Sequence, residues 1–284
     1  MNKLRVVIPK GHIFQNVLQL LEEAGIKLNI SERGYRPIVN DPEIEVKIMK
    51  PQNIPRLLEI GSHDIGFTGY DWVVETSARV EEIMDLTFDP VSIVAAVPAE
   101  ISEEELRSRR FVAASEYENI TQKFLDEQGY DYIFVRTHGA TEVFPPDDAD
   151  LIVDNTSTGR TLQKHNLKII ATILSSSTRF IANPAAMKDP WKKEKIATLQ
   201  MLFSAILDAR GRVMLEMNVP PQHLEEIINI LPCMRAPTVA PLYQNQGYAV
   251  KVAVKRQQAV ELIPQLKKMG ATDILEYEFK KVVV

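Results

Sequence analysis

The sequence predicts an α/β chain built in two parts. Over the first ~70 residues, short apolar stretches alternate with stretches of helical periodicity. That rhythm predicts a mainly parallel sheet covered by helices. A second block of the same kind follows to about residue 173. The last ~75 residues change rhythm and read βαββαβ, the split βαβ or ferredoxin-like pattern. With 284 residues and 45% hydrophobic side chains, the chain can bury a sizeable core.

Leu4–Ile8 is a short apolar strand turned by Pro9-Lys-Gly11. Ile13, Phe14, Val17, Leu18, Leu20, Leu21 and Ala24 then share a helical face, with Gly25 as a C-cap. Ile44–Met49 alternates like a strand, and Asn53 is placed to cap a short helix over Pro55–Ile60. Asp64–Gly69 reads as a strand ending in a glycine turn. Val91–Val97 is a strongly apolar strand, and Ser102-Glu-Glu-Glu105 forms a capping box. Phe111–Ala114 and Tyr132–Val135 are strands around a helix near Thr121–Glu127, and Leu151–Val153 and Leu167–Ile173 complete this block. Ser177–Asn183 returns to the first lobe, and Pro190–Leu207 is a long helix with Pro in its first turn. In the tail, strands Arg212–Val219, Thr238–Leu242, Tyr248–Val254 and Asp273–Phe279 surround helices His223–Ile230 and Ala259–Met269, the second ended by Gly270.

The formal net charge of -5 argues against a nucleic-acid surface. From Ala209 onward Lys+Arg number 10 against 7 Asp+Glu, a net of +3, and the rest of the chain carries -8. Cys233 is the only cysteine, so no intrachain disulfide is possible and a reducing compartment is expected, with the thiol buried and inert. His12, His63, His138, His165 and His223 have no metal-ligand spacing. No apolar run approaches the ~18 residues of a membrane span, and no signal-peptide core precedes Leu4. A cytoplasmic location is expected.

The most informative stretch is Asp150-Leu-Ile-Val-Asp-Asn-Thr-Ser-Thr-Gly-Arg-Thr-Leu162. An apolar strand runs into Asp154, and a hydroxyl-rich turn leads into a helix with Ser157 or Thr158 near its N-cap. In a parallel sheet this turn lies at the carboxyl end of the strand, where ligands bind. A helix N-terminus offers unpaired N–H groups and partial positive charge. Thr156, Ser157, Thr158 and Thr161 add hydroxyls, Gly159 permits close approach, and Arg160 can add charge, which together suit a phosphate. Asp154 would repel a phosphate but can accept hydrogen bonds from sugar hydroxyls. Acid and cradle together suggest a sugar phosphate. The same residue types also suit an ordinary capped strand-to-helix turn.

The segment resembles the phosphoribosyl pyrophosphate motif of the ATP phosphoribosyltransferase family, including its S-T-G-x-T-L core. Pro9-Lys-Gly11 is similar to that family's PKG turn, Asp64-Ile-Gly-Phe-Thr-Gly-Tyr-Asp71 to its D-[LI]-G-x-[TS]-G-x-D motif, and Asn166-Leu-Lys168 continues the likeness. Asn218-Val-Pro220, Pro237-Thr238 and Gly270-Ala271 resemble the C-terminal domain of the long form. The resemblance implies two lobes like those of type II periplasmic binding proteins: lobe I over 1–90 and 174–208, lobe II over 91–173, and a ferredoxin-like regulatory domain over 209–284. It implies transfer of a phosphoribosyl group to N1 of ATP, Mg²⁺ with no dedicated protein ligands, feedback inhibition by histidine, and self-association as dimers and hexamers. It also implies roles. Asp154 and Thr156–Thr161 would hold the phosphoribosyl end, with Glu142 beside the ribose. Lys10, Gly11, Lys50, Asp71 and Tyr117 would serve ATP or pyrophosphate. Glu216, Asn218, Thr238, Ala271 and Asp273 would meet histidine.

Two departures bear on the ATP contacts. His12 stands where the family usually has Arg, and Lys50-Pro-Gln-Asn-Ile-Pro55 replaces R-x-x-D-I-P. Lys cannot copy the planar fork of Arg. The rival readings are a non-catalytic two-lobed ligand-binding protein, an amino-acid-sensing regulatory module, and a catalytically dead paralogue.

Overall fold

The computed structural model describes residues 2–31, 34–234 and 236–283. The chain forms two compact units, Met1–Glu22 with Ile26–Ile196, and Glu23–Gly25 with Ala197–Val284.

The first unit begins with β1 (Leu4–Pro9), α1 (Ile13–Glu23), the small pair β2 (Leu28–Asn29) and β3 (Ile38–Val39), β4 (Ile44–Met49), α2 (Ile54–Glu59), β5 (Ile65–Gly69), α3 (Tyr70–Thr76) and β6 (Glu81–Asp85). It continues with β7 (Val91–Pro98), α4 (Glu103–Ser108), β8 (Phe111–Ser115), α5 (Glu118–Glu127), β9 (Tyr132–Arg136), β10 (Leu151–Thr156), α6 (Arg160–Lys164), β11 (Leu167–Ser176), β12 (Thr178–Ala182) and the start of α7 (Pro190–Arg210). These strands make two five-stranded sheets, ordered β4-β1-β5-β12-β6 and β11-β7-β10-β8-β9.

The main strands of the first ~70 residues, β1, β4 and β5, are parallel as expected, but neither complete sheet is mainly parallel. β1 runs parallel to β4 and β5, but β12 is antiparallel to both β5 and β6. In the second sheet β8 is parallel to β9 and β10, while β7 is antiparallel to β10 and β11. The reason is the double crossing. The chain passes between the sheets after β6 and again at Ser177, at the end where the parallel strands finish. A strand leaving that end, β7 or β12, must run against its parallel neighbours.

Local sequence explains the element boundaries. The Ser102 hydroxyl accepts the Glu105 N–H at 3.2 Å, which is the serine half of the expected capping box. Asn53 occupies the position before α2 but makes no side-chain cap bond. A 3-10 turn over Pro51–Asn53 runs directly into the helix, and the Ile54 N–H is taken by the Pro51 carbonyl. The preceding turn therefore does the capping, and the Asn53 side chain is left to line a cavity. Two glycines of Asp64–Asp71 are packing requirements. A Cβ on Gly66 would lie 2.7 Å from Val7 and 2.9 Å from Ile54, and one on Gly69 would lie 2.1 Å from the Asp71 carboxylate.

Trp72 of α3 inserts into the apolar cluster of the second sheet, with Ile93, Phe111, Tyr117 and Leu151. The first sheet has its own cluster around Val7, Ile54, Leu58 and Ile181.

In the second unit, β13 (Arg212–Val219), α8 (Leu224–Ile230), β14 (Thr238–Pro241), β15 (Tyr248–Lys255), α9 (Arg256–Lys268) and β16 (Thr272–Glu278) give the expected βαββαβ order. The sheet runs β14-β15-β13-β16 and is antiparallel throughout. Its alternation is strict. Val213, Leu215, Met217 and Val219 pack with Val250, Val252 and Val254 against Ile227 and Leu262 of the helices. Ala271 belongs to that core at 1% exposure. It directly follows the turn at Gly270 and packs in that cluster.

Candidate functional site

Three adjoining cavities open at the ends of the parallel strands of the first unit. One, of about 330 Å³, is lined by Lys10, Gly11, Lys50, Asp71 and Tyr117, which the sequence had grouped as nucleotide contacts. A second, of about 480 Å³, is lined by Glu142, Asp154, Thr156, Ser157, Thr158, Arg160 and Thr161. A third, of about 500 Å³, holds Lys50, Arg56, Arg136 and His138. Glu116 borders all three, and His12 and Asn155 border the first two.

β10 delivers Asp154. Sequence placed the strand end at Val153, and the parallel partner β8 does stop there, pairing Val153 with Ser115. β7 continues alongside, pairing Asp154, Asn155 and Thr156 with Val94, Ile93 and Ser92. The acid thus sits inside a hydrogen-bonded ladder rather than on a loose turn. Burial pushes its pKa up to about 6, aided by the charges of Glu142 and Glu116 and opposed by the Asn155 N–H. That N–H donates to the Asp154 carboxylate at 2.7 Å.

The turn after β10 is fixed from within. The Thr156 hydroxyl accepts the Gly159 N–H at 2.9 Å. Gly159, not Ser157 or Thr158, takes the N-cap position, with a left-handed φ of 73° that favours glycine. Leu162 is buried beneath, among Ile152, Ala114 and Leu167. Ser157, Thr158, Arg160 and Thr161 remain exposed around the first turn of α6, while Gly159 is buried behind them.

Asp71 and Tyr117 join the two sheets. Asp71 lies in the first turn of α3, and Tyr117 precedes α5. The Tyr117 hydroxyl donates to Asp71 Oδ2 at 2.9 Å, the Ser176 hydroxyl donates to Asp71 Oδ1 at 2.6 Å, and Asn155 Nδ2 donates to the Tyr117 oxygen at 3.1 Å. The Tyr117 ring stacks on Trp72 at 4.5 Å between centroids. Burial and the Asp71 charge drive the phenol far above its usual range, so it stays a donor. One face of Tyr117 is thus already occupied, which leaves little of the ring for the stacking expected of it. Glu75 adds a second bridge. It accepts the Asn119 and Ile120 N–H groups at 3.1 and 3.0 Å. Burial raises its pKa against the pull of those N–H groups.

Lys10 lies over the Tyr35 ring at 5.4 Å, with its ammonium on the cavity side of the Pro9-Lys-Gly11 turn. Asp64, first of the glycine motif, has a structural partnership instead. It accepts the Arg5 N–H at 2.8 Å, Arg5 Nη2 at 2.9 Å and Lys192 Nζ at 2.9 Å.

Sequence reasoning missed Trp72, Glu116, Arg136 and Asn155. Three of them had a usable signal: Glu116, Arg136 and Asn155 sit at or just beyond strand carboxyl ends, where ligands gather in α/β sheets. Trp72 had none, because its insertion into the other sheet's core is a tertiary fact.

In the second unit, Glu216 pairs with Lys251 at 3.1 Å, and Asn218 Nδ2 donates to Asp273 at 2.8 Å. Thr238 lies opposite Lys251 in the ladder. These four candidates share the face of the sheet away from its helices. Cys233 is half-buried, and burial pushes its thiol up, as befits an inert side chain.

Among the described residues, no group of three His, Cys, Asp or Glu could hold a metal ion. No helix among them is long and apolar enough to cross a membrane.

The family model described as ATP phosphoribosyltransferase matches residues 50–205, and that described as HisG, C-terminal domain, matches residues 209–281. The chain is 42% identical to an ATP phosphoribosyltransferase of Pelotomaculum thermopropionicum over 99% of each chain. It is 41% identical to one of Desulforudis audaxviator over the same share. It also aligns with the structure of an ATP phosphoribosyl transferase (HisG:HisZ) complex from Thermotoga maritima. There the TM-score is 0.63 at 27% identity, over 70% of this chain and 98% of that one.

Proposed function

Because the chain belongs to the ATP phosphoribosyltransferase family, we propose how its cleft divides the work of that family's reaction. The phosphoribosyl group of phosphoribosyl pyrophosphate passes to N1 of ATP, and pyrophosphate leaves. This is a step of histidine biosynthesis. Full-length likeness to the transferases disfavours a non-catalytic ligand-binding or sensing role.

The reaction brings two anionic substrates into line, with no covalent enzyme intermediate required. Positioning and charge compensation supply most of the rate. The 5-phosphate lies against the first turn of α6, on the N–H groups and hydroxyls of Thr156–Thr161. The ribose hydroxyls donate to Asp154, with Glu142 across the same cavity. The observation that carries this assignment is that Asp154, Glu142 and the hydroxyl turn line one cavity, with Asp154 and Thr156 on one ladder and the turn capped by Gly159.

The adjoining cavity takes the nucleotide. Lys10 and Lys50 offset pyrophosphate or triphosphate charge, and Gly11 lets the backbone approach. Asp71 and Tyr117 hold the wall rather than the base. Arg56 and Arg136 extend the cationic lining.

Mg²⁺ would offset pyrophosphate charge while keeping most of its water, and the carboxylates of Glu116, Glu142 and Asp154 would meet that water shell. Three acids on the cavity wall fit a hydrated ion.

Histidine binds the open face of the C-terminal sheet, through Glu216, Asn218, Thr238 and Asp273, and lowers turnover by favouring one arrangement of assembled chains. Self-association into dimers and a hexamer, and a cytoplasmic location, belong to the same proposal. The domain limits proposed are those of lobe I over 1–90 and 174–208, lobe II over 91–173, and the regulatory part over 209–284.

Steady-state kinetics test the site. Asp154→Ala is expected to cut kcat at least a hundredfold and raise KM for phosphoribosyl pyrophosphate, with an unchanged circular dichroism spectrum. Near-normal kinetics would remove Asp154 from the mechanism.

A further inference from the structure

We propose that the pocket formed by Arg5, Arg36, Lys47, Ser62 and His63 binds a small phosphate-type anion, separately from the substrate cleft. The pocket has a volume of about 270 Å³, and Glu45 also lines it. It lies at the amino ends of β1 and β4. Lys10, five residues along β1 from Arg5, marks the cleft at the carboxyl end, so the two are separated by about 17 Å at the usual strand rise.

The charges here are not mutually cancelled. Glu45 pairs with Lys3 at 2.6 Å, and Asp64 with both Arg5 and Lys192 at 2.9 Å. Arg36 and Lys47 make no ion pair among the described residues. Arg5 gives Nε and Nη2 to Asp64 and the Gly61 carbonyl, which leaves both Nη1 protons to a ligand. The Ser62 hydroxyl donates to the Leu57 carbonyl at 2.8 Å and lies 3.3 Å from His63 Nδ1, so it places the ring rather than supplying a proton to the anion. All this occurs in a chain of net charge -5, whose residues before Ala209 carry -8. Local excess of cations against that background is what an anion site requires.

His63 reports the field. Its imidazole is held below the usual value by burial and by the charges of Lys47, Arg5 and Arg36, with only Asp64 acting the other way. A dianion among these groups would reverse that influence. The fork of Arg36 and the free edge of Arg5 suit tetrahedral oxyanions. The size of the pocket suits one or two phosphate groups rather than a long polyanion.

The pocket is also linked to the cleft by one short element. Leu57, on α2, lines the anion pocket, while Asn53 and Arg56, at the start of the same helix, line the cleft.

Histidine-labelled protein tests the proposal, with the His63 ring signal identified by its loss in His63→Gln. Inorganic phosphate, and in a second arm pyrophosphate, is titrated at constant ionic strength balanced with chloride. The expected result is a saturable displacement of the His63 signal by at least one of them, weakened at least tenfold in Arg36→Ala/Lys47→Ala. Turnover of that variant without added anion is expected to stay unchanged, since neither residue belongs to the cleft. Should the double variant fold poorly, Arg36→Gln alone carries the same expectation. The proposal is overturned if chloride gives the same displacement, if neither anion moves the signal, or if the response survives in the variants.

Discussion

The Tyr117 hydroxyl and the Asp71 carboxylate meet at 2.9 Å, and the bond runs from one lobe to the other. Asp71 belongs to the helix after β5 of the first sheet, and Tyr117 follows β8 of the second. Both are buried, at 4% and 1% exposure. Tyr117→Phe leaves one oxygen of Asp71 without its donor, and takes from Asn155 one of its two acceptors. Removal of a hydrogen bond to a buried charged group costs about 1.5–3 kcal/mol. The denaturation midpoint is expected to fall accordingly, with an unchanged m-value. KM for both substrates is expected to rise, because Asn155, which donates to Tyr117, borders both of the cavities assigned to them. An unchanged midpoint would mean that the bond contributes nothing to holding the lobes.

Little of that bridge could be read from the sequence. The motif Asp64–Asp71 and the turn Asp154–Thr161 were legible because local needs write them: glycine where a Cβ would strike Val7 or the Asp71 carboxylate, hydroxyls and glycine where a helix starts. The βαββαβ tail was legible because its alternation is strict. Pairings such as Glu75 with the α5 N-terminus, Trp72 with the second core, or the mixed strand directions join residues far apart in the chain. No local pattern encodes them.

Asp154 links function to stability. Its carboxyl is raised to about 6 in the fold against an ordinary value near 3.8, so the folded chain holds more protons than the unfolded one between those values. Stability contributed by this group is therefore full below about 4 and is lost as pH rises through about 6. Asp154→Asn removes that penalty. At pH 7 the variant is expected to be more stable by on the order of 1 kcal/mol, a figure reduced for its partial contact with solvent. It is also expected to be nearly inactive. A less stable Asp154→Asn protein at pH 7 would contradict the burial argument.

The same value sets a pH profile. The ionised form accepts the ribose hydroxyls, so kcat/KM for phosphoribosyl pyrophosphate is expected to fall tenfold per pH unit below about 6. Glu142→Gln, which removes a neighbouring negative charge, is expected to move that limb to lower pH. A limb that stays in place would show that Glu142 does not act on Asp154.

Gly159 is a backbone requirement. At φ 73° a side chain strains the turn by roughly 1 kcal/mol. Gly159→Ala is expected to raise KM for phosphoribosyl pyrophosphate severalfold and leave KM for ATP unaltered. Equal effects on both would place the turn outside the sugar-phosphate site.

The C-terminal sheet makes a separate prediction. Glu216→Gln and Asn218→Ala are expected to weaken inhibition by histidine at least tenfold with unaltered basal turnover. Deletion after Asp208 is expected to abolish inhibition. Persistent inhibition in the shortened chain would move the histidine site out of the tail.

The most direct test is a crystal structure with phosphoribosyl pyrophosphate bound. The 5-phosphate is expected on the N–H groups and hydroxyls of Thr156–Thr161, with the ribose hydroxyls within hydrogen-bond distance of Asp154. Density for the sugar in another cavity, with that turn empty, would contradict the account.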